Sequence, residues 1–104
     1  MNIQINTDNH IDGGQKFSDY VSGVVSSAFH RFSNQLTHVD VHFSDQNSSN
    51  KAGSNDKRCM IEVRITGRKS TAVTSDASSI DEALIGATEK MKHSIESTLG
   101  RANY

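Results

Sequence analysis

The sequence predicts a single α+β domain in which a four-stranded sheet carries two helices on one of its faces. Four short segments alternate apolar and polar residues, as half-buried strands do, and two longer segments repeat apolar residues at helical spacing. They follow one another in the order β-α-β-β-β-α. Each helix has only one apolar stripe, so the simplest packing is a two-layer sandwich with both helices on the same side. The 104 residues leave no room for a second core, so residues 1–104 are expected to form one domain.

The first half of the chain supplies a strand, a helix and a second strand. Residues 2–6 alternate isoleucine with polar residues and predict a short strand, and a polar loop containing two glycines follows it. Residues 15–33 repeat apolar side chains at i, i+3, i+4 and i+7, which predicts an amphipathic helix. Residues 36–44 alternate again, with Val39, Val41 and Phe43 on one face, and predict a strand whose other face is solvated.

The second half supplies a hairpin and a helix. Residues 45–56 are low in complexity and have little to bury, so we expect a mobile loop. Residues 57–66 and 69–75 predict two strands joined by a tight turn at Gly67-Arg68, which makes an antiparallel hairpin. Ser79-x-x-Glu82 is typical of a capping box that opens the final helix. Gly100 is suited to end that helix.

The charges are nearly balanced overall but unevenly distributed. The chain has 11 lysines and arginines and 12 aspartates and glutamates, which gives a net charge of −1 with neutral histidines. Between Lys57 and Lys69, five basic residues and one acidic residue give a local charge of +4, and the rest of the chain carries −5. A neutral total can therefore include a basic face, and the face matters more for binding than the sum.

The basic residues are the best candidates for a binding site. Alternation places Arg58 and Arg64 on the outer face of the sheet, and Arg68 and Lys69 fall at the hairpin turn. A stripe of the last helix, from Gly86 through Lys90 to Arg101, is expected to face away from the core. Cations on a rigid surface suit the phosphate oxygens of RNA. Ordinary solubilising charge stays open as the alternative at this point.

Other chemistry is less well supported. His38, Asp40 and His42 share one face of a strand, but neighbouring side chains there lie about 6.6–6.8 Å apart. A metal-dependent enzyme would need strand bending and a further ligand such as Glu62, so a solvated polar face is favoured. Cys59 falls on an apolar face, where a thiol behaves as a small hydrophobe. The sequence predicts no catalytic residue, metal site, cofactor or small-molecule substrate.

The chain shows no sign of export or membrane insertion. Its apolar runs are too short to span a bilayer, and its first ten residues have neither the basic nor the apolar region of a secretory signal. The single cysteine rules out an internal disulfide and fits a reducing compartment. We therefore expect a cytoplasmic protein.

The order of several short motifs resembles the short ribosome hibernation-promoting factors, also called ribosome-associated inhibitor proteins. The motifs are the first strand followed by His10, then Ser18-Asp19-Tyr20-Val21, His30-Arg31-Phe32, Val39-Asp40-Val41-His42 and Glu89-Lys90-Met91. The resemblance implies a fold similar to a double-stranded RNA-binding domain with an added first strand. It also implies a non-enzymatic stress factor that occupies the messenger and transfer RNA channel of the small ribosomal subunit and inhibits translation. Its partner would be ribosomal RNA, and we expect it to act as a monomer.

The resemblance adds Arg31 to the basic candidates and supports two residues of the helical stripe, Lys90 and His93. Arg31 lies in the family's basic-aromatic segment, Lys90 matches a lysine of its second helix, and His93 stands where many members have arginine. The full predicted RNA-binding set is Arg31, Arg58, Arg64, Arg68, Lys69, Lys90, His93 and Arg101. The first helix departs from the family pattern, because it has no basic residue from Ser18 to Ala28.

A protein-interaction module with a role in regulating transcription is the alternative function. Such a module would use the exposed face of the sheet. There Met60, between charged neighbours, offers a small apolar anchor.

Overall fold

The computed structural model describes residues 1–8, 13–45 and 56–102, and the side chains among them up to residue 100. The elements, in chain order, are β1 (Asn2–Thr7), α1 (Gln15–Ala28), a 3-10 turn (His30–Phe32), β2 (Leu36–Asp45), β3 (Lys57–Ile65), β4 (Ser70–Ala77) and α2 (Ile80–Ala102). The predicted α+β class and the predicted order of elements are confirmed.

The four strands form one mixed sheet in the order β1-β2-β3-β4. β1 runs parallel to β2, and the other neighbouring pairs are antiparallel. A parallel pair needs a crossover between its strands, and α1 supplies it. β3 and β4 form the predicted hairpin. Its turn uses Gly67 at φ +77°, a backbone conformation that side chains with a Cβ rarely adopt.

Both helices pack on the same face of this sheet, as the sequence predicts. Val21 and Val25 of α1 and Leu84 and Met91 of α2 are fully buried in one cluster with the inward residues of the strands. The strands contribute Val39, Val41, Phe43, Cys59, Ile61, Val63 and Ile65 to that cluster. The opposite face of the sheet carries polar and charged side chains, among them His38, Asp40, Glu62 and Arg64.

Two helix ends differ from the sequence prediction. α1 ends at Ala28 rather than near residue 33, and the 3-10 turn follows it. Phe29 and Phe32 are both buried, so the apolar repeat continues across this change of geometry. α2 does not end at Gly100 but continues to Ala102, because Gly100 lacks the positive φ of a helix-ending glycine.

The start of α2 follows the predicted capping box. The backbone N–H of Glu82 donates to Ser79 Oγ at 3.1 Å, and Ser79 Oγ lies 3.1 Å from Glu82 Oε1. α2 begins one residue later, at Ile80. This cap fixes where α2 leaves β4, and so it sets the position of the basic residues farther along the helix.

The predicted loop 45–56 is described only at its two ends. Asp45 is the last residue of β2, and Asp56 precedes β3, where its carboxylate accepts a hydrogen bond from Lys57 Nζ at 3.1 Å. Residues 46–55 lie outside the described part of the chain, so their mobility stays a prediction. Within the described residues, no helix is both long and apolar enough to cross a membrane.

Candidate nucleic-acid interface

Three cations lie together where β3 turns into β4. Arg64 is on the outer face of the sheet one residue before the end of β3, and Arg68 and Lys69 are in the turn. The N–H of Arg68 donates to the carbonyl of Ile65 at 2.9 Å, which closes the turn and holds the three residues near one another. All three are exposed, and none forms an ion pair with an acid among the described residues. We call Arg64, Arg68 and Lys69 the hairpin cluster.

Acidic residues adjoin the hairpin cluster on the outer face. Asp40 of β2 lies directly opposite Glu62 of β3, and His38 lies opposite Arg64. These four residues line a shallow depression of about 330 Å³. Like charges that face each other across strands disfavour pairing. The positive charge is therefore concentrated at the turn, and the middle of the face is acidic.

A second group of cations lies along β4, the edge strand. Arg58 donates two hydrogen bonds to the carboxylate of Asp76, at 2.8 and 3.1 Å, in the fork geometry of a bidentate pair. These hydrogen bonds are the main reason that the pKa of Asp76 lies below its ordinary value. Lys90 of α2 donates to the backbone carbonyl of Thr74 at 2.7 Å. We call Arg58 and Lys90 the edge cations.

The hairpin cluster and the edge cations do not form one patch. Arg58 and Arg64 are six residues apart on one strand, which corresponds to about 20 Å. Lys90 reaches the edge strand between them, since its partner Thr74 lies opposite Met60. The two groups are therefore separate clusters of positive charge along one side of the molecule.

Arg31 and His93 share an acidic partner. A guanidinium nitrogen of Arg31 contacts the carboxylate of Glu96, and His93 Nδ1 lies 3.9 Å from the same carboxylate. The Arg31 guanidinium also lies over the ring of Phe32, 4.8 Å from its centroid. Both side chains are exposed, but Glu96 offsets part of the positive charge of Arg31. The side chain of Arg101 lies outside the described residues, so its role stays a prediction.

The partners Asp76 and Glu96 were not predicted from the sequence. The hairpin turn gives the signal for Asp76: counting outward from Gly67, Arg64 lies opposite Ser70, and Arg58 then lies opposite Asp76. His93 and Glu96 are three residues apart on a helix, a spacing that brings side chains together. The contact of Arg31 with Glu96 depends on how α2 packs beside the 3-10 turn, and no local pattern indicates it.

The structure also locates the residues that could bind a metal ion or act as a nucleophile. His38, Asp40 and His42 lie on the outer face, and no group of three or more histidine, cysteine, aspartate or glutamate side chains in the described residues could hold a metal ion. Cys59 is fully buried, and burial raises the pKa of its thiol to about 12. A thiol with so high a pKa is a poor nucleophile at neutral pH.

Comparison with known proteins gives one family and several similar folds. Residues 3–103 match the family described as sigma 54 modulation protein / S30EA ribosomal protein. The N-terminal domain of Protein Y from Thermus thermophilus superposes with a TM-score of 0.73 at 18% identity, over 94% of this chain and 99% of that one. A ribosomal subunit interface protein from Coxiella burnetii gives 0.70 at 12% identity, over 96% and 99%. Curated protein sequences gave no match.

Proposed function

Since this chain belongs to the sigma 54 modulation protein / S30EA ribosomal protein family, we propose that it is a ribosome-binding stress factor. It occupies the messenger and transfer RNA channel of the small subunit and thereby inhibits translation. A protein with a similar fold is described as a ribosomal subunit interface protein, which supports the ribosome as partner. The protein acts in the cytoplasm as a monomer, and it blocks the channel by occupancy rather than by catalysis.

The hairpin cluster is the observation that supports RNA binding most directly. Its three exposed cations have no acidic ion-pair partner among the described residues, so phosphate does not compete with an existing pair. Each phosphate contact releases counterions from the RNA, which gives favourable free energy at low salt.

Three further predicted contacts can be ranked by how far a partner within the protein already neutralises their positive charge. Lys90 is bonded to a neutral carbonyl and keeps its full positive charge. Arg58 shares its charge with Asp76 through two hydrogen bonds. Arg31 must separate from Glu96 before it can bind phosphate. We therefore expect Arg68 and Lys69 to contribute most, Lys90 next, and Arg31 and Arg58 least.

A salt titration of binding to purified small subunits tests the contribution of the hairpin turn. Arg68→Gln with Lys69→Gln removes two charges from the turn, and the matched control, Lys16→Gln with Lys92→Gln, removes two charges from the helices. The turn variant should lose about 1.5 from the slope of log affinity against log salt, since each phosphate contact contributes about 0.7–0.9. The control should keep the slope of the unmodified protein. Equal losses in both variants would contradict a localised contact.

Competition experiments test the channel itself. Small subunits loaded with messenger RNA and initiator transfer RNA should bind the protein much more weakly than empty subunits. Simultaneous binding would place the protein elsewhere on the ribosome while leaving ribosome binding intact. Absence of binding to empty subunits at low salt would contradict the ribosome proposal as a whole.

The family description also favours a second candidate function, because it names sigma 54 modulation beside the ribosomal role. In this alternative a protein partner contacts the outer face of the sheet, where Met60 lies between His42 and Thr74. Recovery of partners from nuclease-treated and untreated lysate separates the two functions. A partner that survives nuclease and is lost in Met60→Asp favours the alternative, and loss of all partners with nuclease favours ribosomal RNA.

A further inference from the structure

An open groove runs between the two helices, on the side of the molecule away from the outer face of the sheet. It has a volume of about 750 Å³, and its lining includes Tyr20, Gly23 and Val24 of α1 and Ile85 and Thr88 of α2. Tyr20 and Ile85 are large apolar side chains that are 49% and 50% exposed. The groove is therefore an apolar surface that nothing in the described part of the chain covers.

The groove is open at Gly23, where the absence of a side chain leaves space between the helices. A Cβ added at Gly23 would meet no atom within 4 Å, and Gly23 does not have positive φ. Neither the backbone nor the packing requires this glycine, although glycine inside a helix costs about 1 kcal/mol relative to alanine. The hydroxyl of Thr88 donates to the carbonyl of Leu84 at 2.7 Å, so it needs no partner in the groove.

The charges around the groove are acidic. Asp19 and Glu89 line it, and Asp81 accepts a hydrogen bond from the hydroxyl of Tyr20. Lys16 and Lys92 lie one helical turn beyond these residues and are not part of the lining. Carboxylates at the rim repel phosphate, so this groove is not a second RNA contact. They favour a partner that brings cations beside its apolar groups.

We propose that the groove binds a short amphipathic helix of a partner protein that carries lysine or arginine beside its apolar stripe. The apolar stripe would lie against Tyr20 and Ile85, and the basic side chains would face Asp19 and Glu89. From residue 19 to residue 28 the groove follows α1 for about 14 Å, which matches between two and three turns of a bound helix. A helix in an apolar groove uses anchors at i, i+3, i+4 and i+7. The proposal does not depend on ribosome binding, since none of the residues that line the groove belongs to the predicted RNA-binding set.

A pair of synthetic helical peptides tests the proposal. Both have about 14 residues, with leucine and one tryptophan at i, i+3, i+4 and i+7. The first peptide carries lysine at the flanking positions, and the second carries glutamate there. The protein has no tryptophan, so the peptide emission reports binding without background. The lysine peptide should bind with a blue shift, and the glutamate peptide should bind at least about tenfold more weakly.

Variants of the groove locate the binding site. Ile85→Asp should weaken the lysine peptide by about tenfold or more, and Glu89→Lys should weaken it while strengthening the glutamate peptide. Glu62→Lys makes the same charge change on the opposite face and should leave both affinities unchanged. Circular dichroism of each variant checks that the fold is intact. If Ile85→Asp or Glu89→Lys does not fold, Gly23→Leu provides a second test. Its side chain fills the groove from α1 and should also weaken binding of the lysine peptide.

Three outcomes would overturn the proposal. One is equal affinity for both peptides, because the acidic rim would then have no role. Another is peptide binding that Ile85→Asp and Gly23→Leu leave unchanged. The third is a duplex RNA that binds the protein and loses affinity with Ile85→Asp, because the groove would then be an RNA contact.

Discussion

Replacing glycine by alanine should have opposite effects on stability in the two helices. α2 crosses β4 so closely at Gly86 that an added Cβ would lie 2.2 Å from Ser75 Oγ and 3.2 Å from Ser75 Cβ. Carbon and oxygen atoms do not approach to 2.2 Å without bonding, so either the hydroxyl must rotate or the helix must move. At Gly23 of α1, an added Cβ meets no atom within 4 Å. The same substitution therefore samples two different environments.

The expected magnitudes follow from two opposing terms. Alanine in a helix interior is favoured over glycine by about 1 kcal/mol. Gly23→Ala has no packing cost, so it should raise the free energy of unfolding by about 1 kcal/mol and the Tm by about 4–8 °C. Overpacking typically costs about 1–3 kcal/mol, so Gly86→Ala should range from neutral to about 2 kcal/mol destabilising. Rotation of the Ser75 hydroxyl would relieve the contact with Oγ, but Ser75 Cβ would still lie 3.2 Å from the added Cβ, so part of the packing cost remains.

Urea and thermal unfolding of the two variants measure these effects directly. Ser75→Gly removes both contacting atoms, so Gly86→Ala in that background should gain most of the stability that alanine gives to a helix. The difference between the two backgrounds is the coupling energy of the contact. A Tm increase in Gly86→Ala equal to that in Gly23→Ala would refute the close approach of α2 to β4.

Two further predictions concern the cap of α2 and the pair at the sheet edge. Ser79→Ala should lower the free energy of unfolding by about 0.5–2 kcal/mol, because the N–H of Glu82 loses its acceptor. Ser78→Ala, which removes only a side-chain contact with Glu82, should cost less in the same urea unfolding assay. Arg58 lowers the pKa of Asp76, so this pair stabilises the fold above the unfolded-state pKa of about 3.9 and is lost as pH falls through the lower folded-state value. Asp76→Asn should therefore cost about 0.2–1 kcal/mol at neutral pH, discounted for exposure, and the cost should disappear in acid; a cost that persists there would contradict the ion pair.

Local patterns in the sequence were enough to predict most of the fold. Apolar alternation identified all four strands, because each turns one face toward the core, fully buried in β2 and β3 and partly buried in β1 and β4, and the other toward solvent. The turn at Gly67 and the cap at Ser79 were predictable since each depends on residues within a few positions of one another. The resemblance based on short motifs is confirmed by the family match over residues 3–103.

The features that sequence could not predict depend on contacts between elements. α1 ends at Ala28 although the apolar repeat continues through the buried Phe29 and Phe32, so periodicity alone does not reveal this end. The pairing of Arg31 with Glu96 joins residues 65 positions apart. Ile85 lies off the buried stripe of α2 and looks like an isolated surface residue until α1 is placed beside it.

The separation between the acidic groove and the hairpin turn would let a nearly neutral chain bind RNA, as we propose. An α-helix is about 10–12 Å in diameter, so the acidic groove and the outer face of the sheet lie at least that far apart. The Debye length at physiological salt is about 8 Å, and charges on one layer are therefore largely screened from the other. An approaching phosphate at the hairpin turn senses Arg68 and Lys69 rather than the net charge of −1. Below about 0.01 M salt the Debye length reaches about 30 Å, and the acidic layer then opposes RNA binding. In that range each further reduction in salt should therefore raise the affinity for RNA by less than it does at higher salt. Glu89→Lys, which removes one acidic charge from the groove, should restore the full increase in affinity.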